Sequence, residues 1–153
     1  MVSSQFGALL KEFESFFNCP LEPDNNNSCL INLENELSIQ IEMDRYGLIL
    51  IGCRLGAVHM GRYRETLMRQ ALKSNEATLP STGILGFSNK SNQLILFIKL
   101  NPIELNSNLI GAILPPFISK AKLWKEAITK GETPSVNSLG QSKGASGIFD
   151  LIS

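Results

Sequence analysis

Two strand-length segments that are apolar on both faces constrain the fold of this chain most. Residues 48–55 read LILIGCRL, and Gln93–Leu100 reads QLILFIKL. Strand side chains alternate between the two faces of a sheet, so such runs predict central strands. A small α+β domain often covers only one sheet face with its own helices. Either both strands belong to one closed core, or another polypeptide covers part of their second face.

The N-terminal segment, residues 3–18, predicts an amphipathic helix. Its apolar residues fall within about a third of the helical wheel at ~100° per residue. They are Phe6, Leu9, Leu10, Phe13, Phe16 and Phe17. Such a dense aromatic stripe either packs entirely into the core or leaves an exposed apolar patch, which usually marks a binding site.

Three strand patterns follow this helix. Residues 29–33 form a short strand, and residues 37–43 alternate between apolar and polar side chains, which predicts one buried and one wet face. A turn at residues 44–47 leads into residues 48–55. Connections this short predict an antiparallel meander.

The second half of the chain predicts a helix, two strands and a last helix. Residues 62–73 carry an apolar helical stripe, and Asn75 is expected to end that helix. Strands are predicted at Ile84–Ser88 and Gln93–Leu100, joined by a hairpin turn. The last helical region covers residues 105–129.

Prolines and glycines set the expected limits of the domain. Pro115 and Pro116 are expected to break or kink the last helix, because proline lacks an amide donor and clashes with the preceding turn. Beyond Gly131 the chain is polar and rich in glycine and serine, which predicts a flexible tail. We therefore expect a domain over residues 1–130 and a tail over residues 131–153. The element order α-β-β-β-α-β-β-α predicts an α+β fold with a five-stranded, mainly antiparallel sheet and three helices.

Length and charge exclude several classes of function. The chain has 153 residues, which suits one domain, and its 14 basic and 14 acidic residues leave no net charge. A neutral chain lacks the basic surface that nucleic acids or anionic membranes attract. The N-terminus lacks the basic region of a signal peptide, so we expect a cytosolic protein without membrane insertion. The odd number of cysteines, three, indicates free thiols.

No motif indicates catalysis or a bound cofactor. The single histidine, His59, has no recognisable nucleophile motif beside it, so a packing or helix-entry role is favoured over general-base catalysis. One histidine without a C-x-x-C pair argues against a zinc site. Neither a G-x-G-x-x-G nor a Walker-type loop is present. We expect no cofactor, no metal and no enzymatic activity.

The order of elements and several segments resemble the class I type III secretion chaperones, the Tir chaperone-like family. The resemblance covers residues 6–128 and rests on hydrophobic patterns in a joint order. Its carriers are Phe6, Leu10 and Phe13 in the first helix, residues 48–52, residues 67–75 leading into residues 83–87, residues 94–96, and Phe117, Ala121 and Trp124 in the last helix.

This resemblance implies a homodimer of the bacterial cytoplasm that has no ATPase activity. It implies binding to the N-terminal chaperone-binding segment of one or more effector proteins, with the ATPase of the secretion apparatus as a further partner. The matching dimer-interface positions are Tyr63, Leu67, Ala71, Ile84 and Phe87. The matching effector-binding positions are Phe6, Leu10, Phe13, Leu30 and Leu33.

Two other functions remain open from the sequence. A regulatory or structural adaptor of the same fold would bind a folded partner rather than an extended segment. A small enzyme with an unrecognised site is the third possibility, and substitution of His59 would then abolish an activity.

Overall fold

The computed structural model describes residues 4–78 and 82–134 of the chain. Its elements are α1 (Ser4–Phe17), β1 (Ser28–Asn32), β2 (Ser38–Met43), β3 (Ile49–Ala57), α2 (Arg62–Ala77), β4 (Ile84–Ser88), β5 (Gln93–Leu100) and α3 (Ser107–Lys130). Short 3-10 turns lie at Glu34–Glu36 and Pro102–Glu104. Within these ranges, no helix combines the length and the apolar character that a membrane span requires.

The five described strands form one antiparallel sheet in the order β1-β2-β3-β5-β4. The meander of β1, β2 and β3 is confirmed, and so is the predicted α+β fold with its order of elements. Strands β4 and β5 have the predicted bounds. Strand β3 continues two residues beyond its predicted end, and a bulge between Arg54 and Gly56 interrupts its pairing with β5.

One face of the sheet carries the core. The strand register places Ile41, Ile51 and Ile98 side by side on this face, and all three are buried. Helices α1 and α3 pack against it, with Phe13 and Trp124 fully buried in the same cluster. Burial of large apolar side chains is the dominant favourable term in folding, so this layer holds the domain together.

Helix α2 runs to Ala77, and the prediction that Asn75 ends it was wrong. The Asn75 side chain does not bond to its own backbone, which is how asparagine commonly ends helices. Instead its amide donates to the Leu85 carbonyl and accepts from the Leu85 amide, both at 2.8 Å. This tertiary contact with β4 keeps Asn75 inside the helix.

Helix α3 is continuous from Ser107 to Lys130, so the predicted break at Pro115 and Pro116 was wrong. Each proline removes the amide that would bond to the carbonyl four residues earlier, at Gly111 and Ala112. Both of those residues are exposed, so water can solvate the freed carbonyls. The buried face of the helix supplies the packing that maintains helical geometry through this turn.

The end of α3 is anchored to the start of α2. Gly131 adopts the left-handed conformation that commonly ends helices, with φ of 69°. The Tyr63 hydroxyl donates to the Glu132 carbonyl at 2.8 Å, and Pro134 is buried. Residues 131–134 of the predicted tail therefore pack against the domain, whereas residues 135–153 lie outside the described residues.

Lys120 is a buried lysine on α3. Only 7% of its surface is exposed, and its ammonium donates at 2.9 Å both to the Thr78 hydroxyl and to the Gly83 carbonyl. It thereby ties α3 to both ends of the α2–β4 connection. Loss of hydration in this environment lowers the pKa of the Lys120 ammonium from 10.5 to about 8.

We expect this lysine to make the stability of the protein depend on pH. Between pH 8 and 9 the unfolded chain holds the Lys120 proton and the folded chain releases it, so the free energy of unfolding rises with pH. Relative to Lys120→Met, the wild type should gain about 1 kcal/mol over this unit. Urea unfolding of both proteins at pH 8 and pH 9 measures the difference.

The pH range of this measurement ends near pH 9, because above that pH the titration of Cys53 lowers the free energy of unfolding. Burial raises the pKa of its thiol from 9.0 to about 11, so this group loses stabilising effect as pH rises beyond 9. The exposed Lys73→Met variant controls for the loss of one positive charge. An equal pH response in wild type and Lys120→Met would show that the Lys120 ammonium is not perturbed.

Candidate functional site

Three of the predicted effector-binding residues lie inside the core. Phe6, Leu10 and Phe13 are fully buried between α1, α3 and the sheet. The stripe members that retain some exposure are Leu9, Phe16 and Phe17, which lie at its margins. The helical stripe is therefore mainly a packing surface, and a direct contact between the three buried residues and a partner remains untested.

The other two predicted effector-binding residues lie at the opposite side of the sheet and at its edge. The Leu30 side chain on β1 is 61% exposed. Leu33 follows β1 and is partly buried against the core. Of the five predicted residues, Leu30 alone combines an apolar side chain with a large exposed area.

The sheet face turned away from α1 and α3, here called the open face, carries a row of residues across all five strands. The strand register aligns Leu30, Gln40, Gly52, Phe97 and Ile84, one residue from each strand. Phe97 is half-buried although no described helix covers it. Apolar and polar residues therefore share this row, with the apolar ones at both ends.

A groove of about 820 Å3 runs over the open face, mainly on β2, β3 and β5. We call it the sheet groove. Its apolar floor includes Leu50, Ile95 and Phe97, and Gly52, which has no side chain, also lines it. A Cβ atom at Gly52 would meet only the Leu96 carbonyl oxygen, at 3.9 Å. The glycine therefore leaves free volume in the groove rather than relieving a clash below it.

Four charges surround the groove. The carboxylates of Glu36 and Glu42 lie on the side of β1 and β2, and the cations Arg54 and Lys99 lie on β3 and β5. None of them forms an ion pair with another residue of the described ranges. These charges remain available to select a partner by its charge pattern.

The edge of the sheet at β1 is open next to the groove. Two hydrogen bonds at the ends of β1 show which of its backbone groups face β2. The Asn27 carbonyl accepts from the Met43 amide, and the Leu33 amide donates to the Leu37 carbonyl. Antiparallel strands alternate their bonding direction, so Leu30 turns its amide and carbonyl outward. Within the described part of the chain, these two groups have no partner.

Neighbouring outward groups on β1 are already satisfied. The Asp24 carboxylate accepts from the Ser28 amide at 3.0 Å, and the Asp24 amide donates to the Ser28 carbonyl at 2.8 Å. The hydrogen bonds from Asp24 therefore block the sheet edge at Ser28, two residues before Leu30. A peptide that adds to this edge would thus begin at a defined position.

The opposite edge of the sheet is blocked by Asn75. Leu85 in β4 turns its amide and carbonyl away from β5, and the two hydrogen bonds from Asn75 satisfy both groups. Strand addition at this point of β4 would require that α2 moves away. The two sheet edges therefore differ in their capacity to bind an extended segment.

The five predicted dimer-interface positions divide into two groups. Leu67 and Ala71 are buried in the chain's own core. Tyr63 is occupied by its hydrogen bond to the end of α3. Ile84, which is 37% exposed, and the half-buried Phe87 remain on the surface of β4.

Two further residues extend this surface of α2 and β4. Leu72 on α2 is 69% exposed, and the Arg64 guanidinium lies 4.0 Å from the ring centroid of Phe87. Leu72 belongs to the helix predicted over residues 62–73, and the apolar pattern of that helix does not reveal that this residue is exposed. Exposed apolar side chains on adjacent elements are typical of a protein–protein contact.

Of the residues that line the sheet groove, the sequence named only Leu30 as an effector-binding position. Leu50, Gly52, Ile95 and Phe97 occupy the second face of the two strands that are apolar on both faces. Alternation along residues 48–55 and 93–100 could have identified them once one face was assigned to the core.

The site offers surface for binding and no group activated for chemistry. His59 is exposed in the connection between β3 and α2. Burial raises the pKa of the Cys53 thiol beneath the groove to about 11, so this thiol is protonated at neutral pH. Among the described residues, no three histidine, cysteine or acidic side chains are grouped to hold a metal ion.

A family model identifies the family of this chain, and solved structures share its fold. The model of the Tir chaperone protein (CesT) family matches residues 8–125. The structure of the HopA1–SchA chaperone–effector complex matches with a TM-score of 0.65 and 19% identity, covering 80% of this chain and 94% of that chain. No curated protein matches the sequence significantly.

Two further structures show the same fold at low identity. The Yersinia pestis type III secretion chaperone SycH, in complex with a stable fragment of YscM2, matches with a TM-score of 0.59, 13% identity and coverage of 78% of this chain and 98% of that chain. The ExoT–SpcS complex from Pseudomonas aeruginosa matches with a TM-score of 0.60, 16% identity and coverage of 80% and 98%. The predicted secretion-chaperone fold is confirmed.

We expect Asn75→Ala to destabilise the domain by about 1–3 kcal/mol, because the partly buried amide and carbonyl of Leu85 lose both partners. Urea unfolding measures the change, and Lys73→Ala on the exposed face of α2 is the matched control. Equal unfolding free energies for the two variants would contradict a role of Asn75 in holding the β4 edge.

Proposed function

This chain belongs to the Tir chaperone protein (CesT) family, and on that premise we propose that it binds the N-terminal chaperone-binding segment of one or more secreted effector proteins. Binding keeps the effector soluble and competent for secretion without ATP. The family and the fold are those of type III secretion chaperones. The effector segment binds at the sheet groove and adds to the sheet as a strand at the β1 edge.

The observation that carries this proposal is the continuity of the sheet groove with the open β1 edge. Leu30 belongs to both: its side chain lines the groove, and its backbone amide and carbonyl face outward. A segment that pairs with Leu30 as an added strand directs alternate side chains toward the groove. Backbone hydrogen bonds then supply affinity that is independent of sequence, and the groove supplies selectivity.

The five predicted effector-binding residues take different roles in this proposal. Leu30 contacts the effector directly, and Leu33 lies next to it at the end of β1. Phe6, Leu10 and Phe13 support the sheet from its other face, where they are fully buried. The apolar floor of the groove adds the contacts that the sequence had assigned to the first helix.

The proposed mechanism is thermodynamic holding. A chaperone that binds the extended segment shifts the population of the effector away from aggregated and misfolded forms by mass action. Ordering a disordered segment costs about 2–5 kcal/mol or more, so the interface must combine several apolar side chains with backbone pairing. The groove and the edge together provide both kinds of contact.

The proposal needs no chemical step, so His59 and the three cysteines are not assigned catalytic roles. Effector binding is expected to be unchanged in His59→Ala, whereas a catalytic function would be lost. The HopA1–SchA and ExoT–SpcS complexes, whose structures match the fold of this chain, support a protein partner for it.

The proposal places the chain in the bacterial cytoplasm as a homodimer. The contact between protomers is formed by α2 and the β4 edge, with Leu72 on α2, Phe87 on the core-side face of β4 and Ile84 on its open face. The ATPase of the secretion apparatus is a further proposed partner, which would receive the complex and release the effector. Residues 1–130 form the proposed chaperone domain, and the remaining residues form its tail.

Gly52→Leu should weaken effector binding at least about tenfold, because the new side chain occupies volume in the groove while its Cβ makes only an ordinary contact with the Leu96 carbonyl oxygen, at 3.9 Å. Effectors are first identified by affinity isolation of the tagged chain from its own bacterium and mass spectrometry. A synthetic peptide of the retained N-terminal segment is then titrated calorimetrically. Gly111→Ala, on exposed α3 surface, is the matched control.

A second pair of variants isolates the backbone contribution. Leu30→Pro removes an outward amide that the β1–β2 ladder does not use, so an edge strand can accept it. Leu30→Ala removes the same side chain and retains the amide. Peptide binding should be weaker in Leu30→Pro than in Leu30→Ala. Two results would favour the adaptor function instead. One is equal peptide binding by wild type and Gly52→Leu, and the other is an affinity isolation that retains only a folded partner.

The dimer surface gives a separate prediction. Leu72→Asp combined with Ile84→Asp should convert the dimer into a monomer, because two charges would be buried without partners in the contact. Size-exclusion chromatography with light scattering measures the mass. Ile103→Asp, at a residue that is 89% exposed elsewhere on the surface, is the control. A dimer that persists in the double variant rules out this surface.

A further inference from the structure

The chain itself contains a candidate occupant for the sheet groove. Residues 135–147, which follow Pro134, are mainly polar and rich in glycine and serine. Residues 148–152 read IFDLI and form the densest apolar cluster beyond α3. A long polar spacer that ends in a short apolar cluster has the composition of a tethered ligand.

The chemistry of this cluster matches the groove. Four of its side chains are apolar, as is the groove floor formed by Leu50, Ile95 and Phe97. Its one charge, Asp150, is acidic, and the cations Arg54 and Lys99 lie at the two ends of the groove. Neither cation forms an ion pair with another described residue, so either can receive Asp150.

The tail leaves the domain beside the end of β3, on the sheet face opposite the groove. A Cβ at Gly56 would lie 3.1 Å from Ile128, so the end of α3 lies directly against the end of β3. Arg54 is at the same end of β3, on the open face. A glycine- and serine-rich linker of the length of residues 135–147 spans about 20 Å. That is about twice the roughly 10 Å between packed layers, so such a linker is long enough to pass the end of β3 to the open face.

We propose that residues 148–152 dock in the sheet groove and occupy it until an effector segment displaces them. Docking concerns the groove alone, whereas displacement rests on the proposed function. A short flexible tether gives a local concentration of about 1 mM. An apolar cluster with a dissociation constant of about 100 μM would then occupy the groove most of the time.

The test uses a fluorescein-labelled peptide of residues 147–153 and full-length protein. In Phe149→Asp/Leu151→Asp the tethered cluster can no longer dock, so the groove is free for the peptide. Fluorescence anisotropy should show binding to this variant about tenfold tighter than to the wild type. The control Val136→Asp/Leu139→Asp places the same two charges in the spacer and should bind the peptide like the wild type.

Adding Gly52→Leu to the Phe149→Asp/Leu151→Asp chain locates the binding site. Peptide binding should then be lost, because the leucine fills the groove without a clash in the sheet. Circular dichroism and thermal unfolding verify that each variant is folded. Equal peptide binding by wild type and Phe149→Asp/Leu151→Asp, no binding to any protein, or binding that Gly52→Leu leaves intact would overturn the proposal.

These outcomes separate self-docking from the proposed function. If the labelled peptide does not bind while the effector peptide does, the chaperone function stands and the tail has no place in the groove. If the labelled peptide binds as expected and no effector segment does, self-docking stands and the proposed function fails. If both bind, the effector peptide should compete with the labelled one.

Discussion

The packing of α1 and α3 onto a single face of the sheet is the interaction on which the other features depend. Phe13, Phe117 and Trp124 are fully buried in this layer, together with inward side chains of β2, β3 and β5. Burial of this kind provides most of the favourable free energy of a small domain. Because both helices are used on one face, the second faces of β3 and β5 are left to form a groove. The site is thus a consequence of how the core is completed, and no separate element is needed to build it.

Two local features make the two edges of the open face different. Asn75 satisfies the outward backbone groups of Leu85 and blocks one edge of the sheet, whereas Leu30 leaves the other edge available. Exposed strand edges are an aggregation hazard, and natural proteins usually protect them. Here the edge at β4 is protected by an asparagine and the edge at β1 is protected only around Ser28, by Asp24. The absence of a side chain at Gly52, two strands from the open edge, then leaves free volume in the groove.

Sequence patterns predicted the elements well where local and tertiary preferences agree. Ile84–Ser88 and Gln93–Leu100 have the predicted bounds because a hairpin turn and strand alternation indicate the same limits. Asn75 and the two prolines of α3 were misjudged because a tertiary contact and the packing of a long helix outweigh local tendencies. The α1 stripe shows a different limit: periodicity places Phe6, Leu10 and Phe13 on one face but cannot state whether that face meets the core or a partner. For β3 and β5, apolar character on both faces is compatible with one closed core and with cover by another polypeptide, and the place of Gly52 in the groove depends on a strand register that one sequence does not reveal.

An empty apolar groove beside an open strand edge promotes aggregation of a protein that has not yet bound its partner. A tethered segment of modest affinity reduces this exposure at little cost to function, because an occupied groove multiplies the apparent affinity for an effector by the fraction of grooves that are free, about a tenth here. An effector that uses both the groove and the Leu30 edge gains backbone hydrogen bonds that a five-residue cluster in the groove alone does not make. Each tenfold advantage corresponds to about 1.4 kcal/mol, which one or two net hydrogen bonds can supply. The combination of groove and edge therefore lets a correct partner displace an internal occupant, while an apolar peptide that fits only the groove competes poorly.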